Sequence, residues 1–168
     1  SDQIPEIGDD ETVLIRAPHG VGKTVLAKRE HARAETSISV CNTQALTIAN
    51  ASVLKIRAVY DGVDESEPRV SVCIPSLPRF TSPPEFFHVD EADAVHGFLH
   101  SGKVEDPLEA WKTLAFFASR SKRWDLTLPK GHLTPSIRWR NVCKISCRAF
   151  AKRSSQALID KTPPFGGL

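Results

Sequence analysis

Apolar positions along the chain fall into short runs separated by Pro, Gly and acidic turns. Thr12 to Ala17, Ser37 to Cys41, Arg69 to Ile74, Glu85 to Val89 and Trp124 to Leu128 are short and apolar or alternating, which predicts strands. Val53 to Tyr60 alternates apolar residues with Lys55 and Arg57, as expected of a strand near a sheet edge. Val25 to Ala34 reads as a helix with Lys28, Arg29 and Arg33 on its wetter side; Ala94 to His100 and Pro107 to Ser119 also read as helices. In the last of these, Ala110, Leu114, Phe117 and Ala118 recur at helical spacing and predict a buried stripe, and Trp111, Phe116 and Phe117 read as core packing before a cofactor contact. Arg120, Lys122 and Arg123 follow at its carboxyl end, where cations suit the helix dipole. Asp61 to Pro68 and Thr81 to Pro84 predict surface turns, and Pro75 and Pro78 close the strand before them. Strands alternating with helices predict an α/β fold: a largely parallel sheet flanked by helices on both faces, with ligands at the carboxyl ends of the strands.

Two stretches carry chemistry. In Ala17-Pro18-His19-Gly20-Val21-Gly22-Lys23-Thr24, an apolar run breaks at a Gly-containing turn and passes directly into a helix. That is the context a phosphate-binding loop requires. Gly20 and Gly22 free the backbone of Pro18 to Gly22 to turn its amides inward around a polyphosphate. The helix beginning near Lys23 offers its amino-terminal dipole to an anion. Lys23 would reach the terminal phosphates and the Thr24 hydroxyl would bind Mg²⁺. Ala17 stands where the strict pattern has its first glycine, a position at the strand exit where a small side chain fits. The alternative is a chance Gly-rich turn.

The second stretch, Glu85-Phe86-Phe87-His88-Val89-Asp90-Glu91-Ala92-Asp93, places an acidic pair at the end of an apolar strand, with Asp90 67 residues beyond Lys23. Unpaired carboxylates at such a position are costly to desolvate. Together with the glycine loop they suit nucleotide hydrolysis, with Asp90 in the Mg²⁺ shell and Glu91 orienting and deprotonating water. An exposed acidic turn is the alternative.

The two motifs together resemble the first RecA-like P-loop domain of superfamily 2 (DExD/H-type) helicases over roughly residues 10 to 137. Within that superfamily, Val70-Ser71-Val72-Cys73-Ile74-Pro75-Ser76-Leu77-Pro78-Arg79 resembles the "Ser-Leu-x-Arg" segment of the origin-binding replication helicase group. No Pro-Thr-Arg-Glu-Leu and no Ser-Ala-Thr is present, so the literal D-E-A-D string does not mark the RNA-remodelling subgroup. The resemblance implies ATP and Mg²⁺ as ligands, nucleic acid as partner, DNA before RNA, and a second RecA-like lobe in the parent chain that supplies arginine fingers. It implies nucleic-acid contacts by Thr43 and Gln44, whose alternative is ordinary helix capping, and by Ser76, whose alternative is a plain loop serine. The segment Lys130-Gly131-His132-Leu133-Thr134-Pro135, where a third coupling motif belongs, departs from the family's sequences.

Composition adds bounds. At 168 residues, 40% hydrophobic and 25% charged, the chain suits one domain. No methionine occurs, even at position 1, as in an excised or processed fragment. No apolar run reaches membrane-spanning length and no signal peptide is legible, so the expectation is an intracellular, cytoplasmic protein without a membrane partner, in the host cytoplasm if phage or viral. Cys41, Cys73, Cys143 and Cys147 lack a zinc-site spacing and read as reduced thiols. Charge is segregated: residues 138–168 hold seven Lys/Arg against one Asp, a net +6, and the first 137 residues carry −4. Arg138, Arg140, Lys144 and Arg148 are therefore candidate phosphate contacts, or else the solvated side of a helix. The predicted division is a flexible lead-in at 1–11, an ATPase lobe at 12–137, and a basic tail at 138–168, partly helical and then disordered. Two further readings stand beside the helicase lobe: a non-catalytic nucleic-acid-binding module on a decayed P-loop core, and a P-loop kinase of a small molecule.

Overall fold

The computed structural model describes residues 12–17, 22–64 and 66–129. Six strands form one sheet: β1 (Thr12–Ala17), β2 (Ser37–Cys41), β3 (Arg57–Ala58), β4 (Arg69–Cys73), β5 (Phe86–Val89) and β6 (Arg123–Pro129). Their order across the sheet is β1-β6-β5-β2-β4-β3, and every neighbouring pair is parallel. Between them run α1 (Lys23–Arg33), α2 (Gln44–Leu54), a 3-10 helix (Ile74–Arg79), α3 (Ala92–Leu99) and α4 (Pro107–Arg120). The α/β expectation and the parallel sheet therefore hold, and no helix of the described residues is long and apolar enough to cross a membrane.

Strand parity assigns the helices to faces. Phe86 and Phe87 are consecutive in β5 and so point to opposite sides of the sheet. Phe86 meets His31 of α1 edge-on at 4.9 Å, and Phe87 meets Phe117 of α4 at 5.7 Å. Asn50 of α2 donates to Ser39 on the α1 side (3.0 Å). Hence α1 and α2 cover one face, and α3, α4 and the 3-10 helix cover the other.

The two faces differ in chemistry. Toward α4 the strands present Ile38, Val40, Val70, Val72, Phe87, Val89, Trp124 and Leu126, all buried in one cluster with Leu77, Val95, Leu114 and Phe117. This face supplies most of the apolar burial that drives folding. Toward α1 the same strands present Ser37, Ser39, Ser71, His88, Arg123, Asp125 and Thr127, all buried and polar. Helix α1 answers with Leu26 and Ala27, then Glu30 and His31, both at 0% exposure.

Local chemistry accounts for the element ends. Asp106 caps α4 by accepting from the Glu109 amide (2.9 Å), with Pro107 at the first turn, where no N–H is needed. Thr43 caps α2 through its side chain, accepting from Leu46 N–H (3.3 Å).

Several sequence expectations are corrected. The strand predicted over Val53 to Tyr60 reduces to Arg57–Ala58, because α2 continues through Leu54 and ends where Lys55 turns left-handed (φ 62). Its edge position is as expected. The Asp61 to Pro68 loop is not wholly superficial, since Val63 packs in the main core at 4% exposure. Phe117 is buried and Trp111 packs against the core, but Phe116 is 44% exposed. Arg123 belongs to β6 rather than to a helix end: at 1% exposure it lies 3.2 Å from Glu30 and 3.1 Å from Glu85. The predicted lead-in, the segment Lys130 to Pro135 where a coupling motif is expected, and the predicted basic tail lie outside the described residues.

Breaking a buried ion pair by removing one partner leaves an uncompensated charge. Arg123→Met is therefore expected to destabilise the fold by about 3–5 kcal/mol in urea melts. A loss below about 1 kcal/mol would show that Glu30 is adequately satisfied by Arg29 and Arg33, 3.3 and 3.6 Å away.

Candidate functional site

Helix α1 begins without a side-chain cap. Gly22 occupies the position before it in the left-handed region (φ 95), where a Cβ is strained, so glycine is required there. Lys23 is the first helical residue and is half-buried; Thr24 follows and is exposed. The first-turn amides carry no intrahelical partner. Pro18, His19, Gly20 and Val21 lie outside the described residues.

The acidic pair stands at the carboxyl end of β5, as its apolar run predicts. Asp90 still donates its amide to Val40 O (3.0 Å), while Glu91 turns left-handed (φ 48, ψ 59) and opens α3. That conformation costs a non-glycine residue about 1–3 kcal/mol and clusters at functional sites. Thr127 of β6 holds the turn from below. Its hydroxyl donates to Asp90 Oδ1 (2.8 Å) and accepts from the Glu91 amide (3.0 Å). Sequence analysis missed Thr127. The available signal was its place in the Asp125-Leu126-Thr127 alternation on a strand that runs beside the acidic one.

Strand β6 lies between β1 and β5. At parallel-strand spacing, the ends of β1 and β5 are about 10 Å apart. All strands end at one edge, so the amino end of α1, the acidic pair, Gln44 and Ser76 share that edge. Gln44 is the exposed first residue of α2. Thr43 has its hydroxyl committed to capping. Ser76 sits within the 3-10 helix and contacts Cys73 Sγ (3.3 Å). Arg138, Arg140, Lys144 and Arg148 lie outside the described residues. Cys41 and Cys73 are buried free thiols. Burial, followed by the negative charge of Asp90, pushes Cys41 up to about 11, against the hydrogen bond from Asn50; at neutral pH it is a thiol and a poor nucleophile.

Behind the acidic pair lie two buried histidines that the sequence analysis left unassigned. His88 Nδ1 is 2.6 Å from Asp125 Oδ1, its register partner on β6. A carboxylate only accepts, so Nδ1 carries the proton. Burial disfavours the charged ring, but the charge and hydrogen bond of Asp125, with the charge of Asp90, outweigh it and raise the His88 pKa. His31 Nδ1 meets Ser37 Oγ at 2.7 Å. Burial, then repulsion from His88 and Arg69, holds its pKa well below the usual value, so it is neutral.

No family model matches the chain, and no curated protein is significantly similar to it.

The two histidines predict opposed pH limbs, both referred to an ordinary value of 6.5. His88, raised on folding, contributes stability fully below pH 6.5 and loses it as pH rises through its folded value. His31, lowered on folding, costs stability as pH falls below 6.5, because only the unfolded chain readily takes the proton. In urea melts across pH 5–8, His31→Gln should flatten the acid limb and His88→Gln the alkaline limb, each by up to about 1.4 kcal/mol per pH unit. Curves parallel to wild type for both variants would contradict these assignments.

Proposed function

We propose that the chain binds and hydrolyses a nucleoside triphosphate with Mg²⁺, as the ATPase lobe of a nucleic-acid helicase of the superfamily 2 type, in a RecA-like P-loop fold. One observation carries the reading. A left-handed Gly22 runs into the Lys23-Thr24 helix start, on the same sheet edge and one strand removed from an acidic pair pinned by Thr127. A polyphosphate lying between the two ends would meet amides and a lysine on one side and carboxylates on the other.

The donor set fits a hard dication. Among the described residues the side chains that approach Asp90, Thr127 and His88, do so at Oδ1, and Oδ2 would be the oxygen offered to a cation. Thr24 supplies an exposed hydroxyl at the facing helix. Bound Mg²⁺ neutralises phosphate charge. The protein's own groups do the rest. Lys23 holds the terminal phosphates, the loop at Pro18, His19, Gly20, Val21 and Gly22 wraps them, and Glu91 orients and deprotonates the attacking water. The arginine finger belongs to a second RecA-like lobe of the parent chain, so this lobe alone turns over slowly. Nucleic acid, DNA before RNA, runs along the edge formed by Gln44, Ser76 and the amino end of α2, with the basic residues Arg138, Arg140, Lys144 and Arg148 gripping phosphates.

Lys23→Ala is expected to weaken nucleotide binding about 10- to 100-fold, the worth of a charged hydrogen bond, with an unchanged circular dichroism spectrum. Unchanged affinity in the folded variant removes the loop from the site. Glu91→Gln should keep Mg·ATP binding and lower turnover about 10²–10⁴-fold, whereas Asp90→Asn should raise the Mg²⁺ requirement. Identical behaviour of the two variants contradicts their division of roles. The helicase reading is tested by ATP turnover with and without single-stranded DNA. Stimulation supports it; DNA binding without any turnover identifies instead a nucleic-acid-binding module on a decayed ATPase core.

A further inference from the structure

The acidic pair has a support beyond Thr127. On the α1 face, β5 presents His88, with Asp90 just past its end, and β6 presents Asp125 and Thr127 beside them. The result is two polar rungs, His88–Asp125 and Asp90–Thr127. The first has no role in the hydrolysis proposed above, and the pH-dependent stability that His88 gains from Asp125 does not by itself account for a charged pair buried at this place. A buried charged pair replaced by apolar residues of similar volume is often neutral or stabilising.

We propose that His88, aimed by Asp125, is a positioning residue for the Asp90 carboxylate; this rests on the nucleotide-site reading and deepens it. Asp125 is fully buried, and its Oδ1 accepts a hydrogen bond from His88 Nδ1 (2.6 Å). That bond fixes one edge of the ring. Phe86 stacks near it at 6.4 Å with planes 18° apart, and His31 meets it at 5.8 Å with planes at 90°. The opposite edge, Nε2, then faces Asp90 Oδ1 at 4.0 Å. Thr127 reaches the same oxygen (2.8 Å). Thr127 and His88 both approach Oδ1, which restricts how the carboxylate can turn and leaves Oδ2 without a side-chain contact among the described residues. Groups that orient a ligating carboxylate in this way commonly govern metal affinity.

The test uses the 168-residue chain with a fluorescent ATP analogue, titrated with MgCl₂ and, separately, in EDTA. The double variant His88→Leu/Asp125→Leu removes both partners, so no buried charge of the pair is stranded. Its expected behaviour is wild-type affinity in EDTA and an MgCl₂ requirement raised about tenfold or more. His88→Gln keeps a polar group where Nε2 stands and should fall between wild type and the double variant. A folded double variant with the wild-type MgCl₂ requirement overturns the proposal, because a purely structural role would move melting temperature and not metal dependence. If the double variant does not fold, a wild-type MgCl₂ requirement in His88→Gln overturns it instead. Absence of Mg²⁺-dependent binding in the wild-type protein is a different result: it removes the nucleotide site itself, and this inference with it.

Discussion

Arg123 is the point on which the geometry of the sheet's centre depends. It opens β6, is 1% exposed, and reaches Glu30 of α1 and Glu85 at the entry to β5. One guanidinium thus ties the helix that follows β1 to the two strands that carry the acidic end. The surrounding bonds belong to the same clamp. Glu85 Oε2 accepts from the Glu35 amide (2.8 Å), the Glu85 amide donates to Thr36 Oγ1 (2.9 Å), and Arg69 Nε donates to Ala34 O (3.0 Å). These contacts lie at the amino edge of the sheet. The acidic pair and the start of α1 lie at the carboxyl edge, held in place by a rigid base opposite.

The clamp also explains the division of labour between the faces. The α4 face, with Val40, Phe87, Leu114 and Leu126, supplies apolar burial. The α1 face buries Glu30, His31, His88, Arg123 and Asp125, at a cost that hydrogen bonding only partly offsets, since His31 Nε2 and Asp125 Oδ2 have no hydrogen-bond partner among the described residues. What this polar layer contributes is register. A slip of β6 by one residue would carry Arg123 and Asp125 into the apolar core and bring Trp124 and Leu126 under α1. Few alternative pairings of β5 with β6 survive that penalty, and the position of Thr127 against Asp90 follows from it.

Much of this was legible in the sequence. Apolar runs located five strands to within a few residues, and the alternation with helices foretold the parallel sheet. The Gly22-Lys23-Thr24 junction and the Asp90-Glu91 strand end are local signals, readable because a left-handed glycine and a terminal acidic pair each need particular residues nearby. Val53 to Tyr60 misled because an amphipathic helix end and a short edge strand share an alternating pattern over a few residues. The polar layer was missed for a related reason. Ser37-Ile38-Ser39-Val40 and Trp124-Asp125-Leu126-Thr127 alternate like strands with one wet face, and nothing local reveals that α1 covers that face. Glu30 and His31 did stand in phase with Leu26 and Ala27, but charge on a helix normally signals solvent. Arg123 followed a helix and read as its cationic end; its partners, Glu30 and Glu85, are distant in sequence.

That the start of α1 and the acidic end of β5 form one nucleotide site is tested most directly by following backbone amides in ¹⁵N-labelled protein as Mg·ATP is added. Saturable shifts are expected together at Lys23, Thr24 and Val25, at Asp90, Glu91 and Ala92, and at Thr127, all with one apparent Kd. Shifts confined to either end alone, or no shifts at these residues at millimolar Mg·ATP, would contradict it.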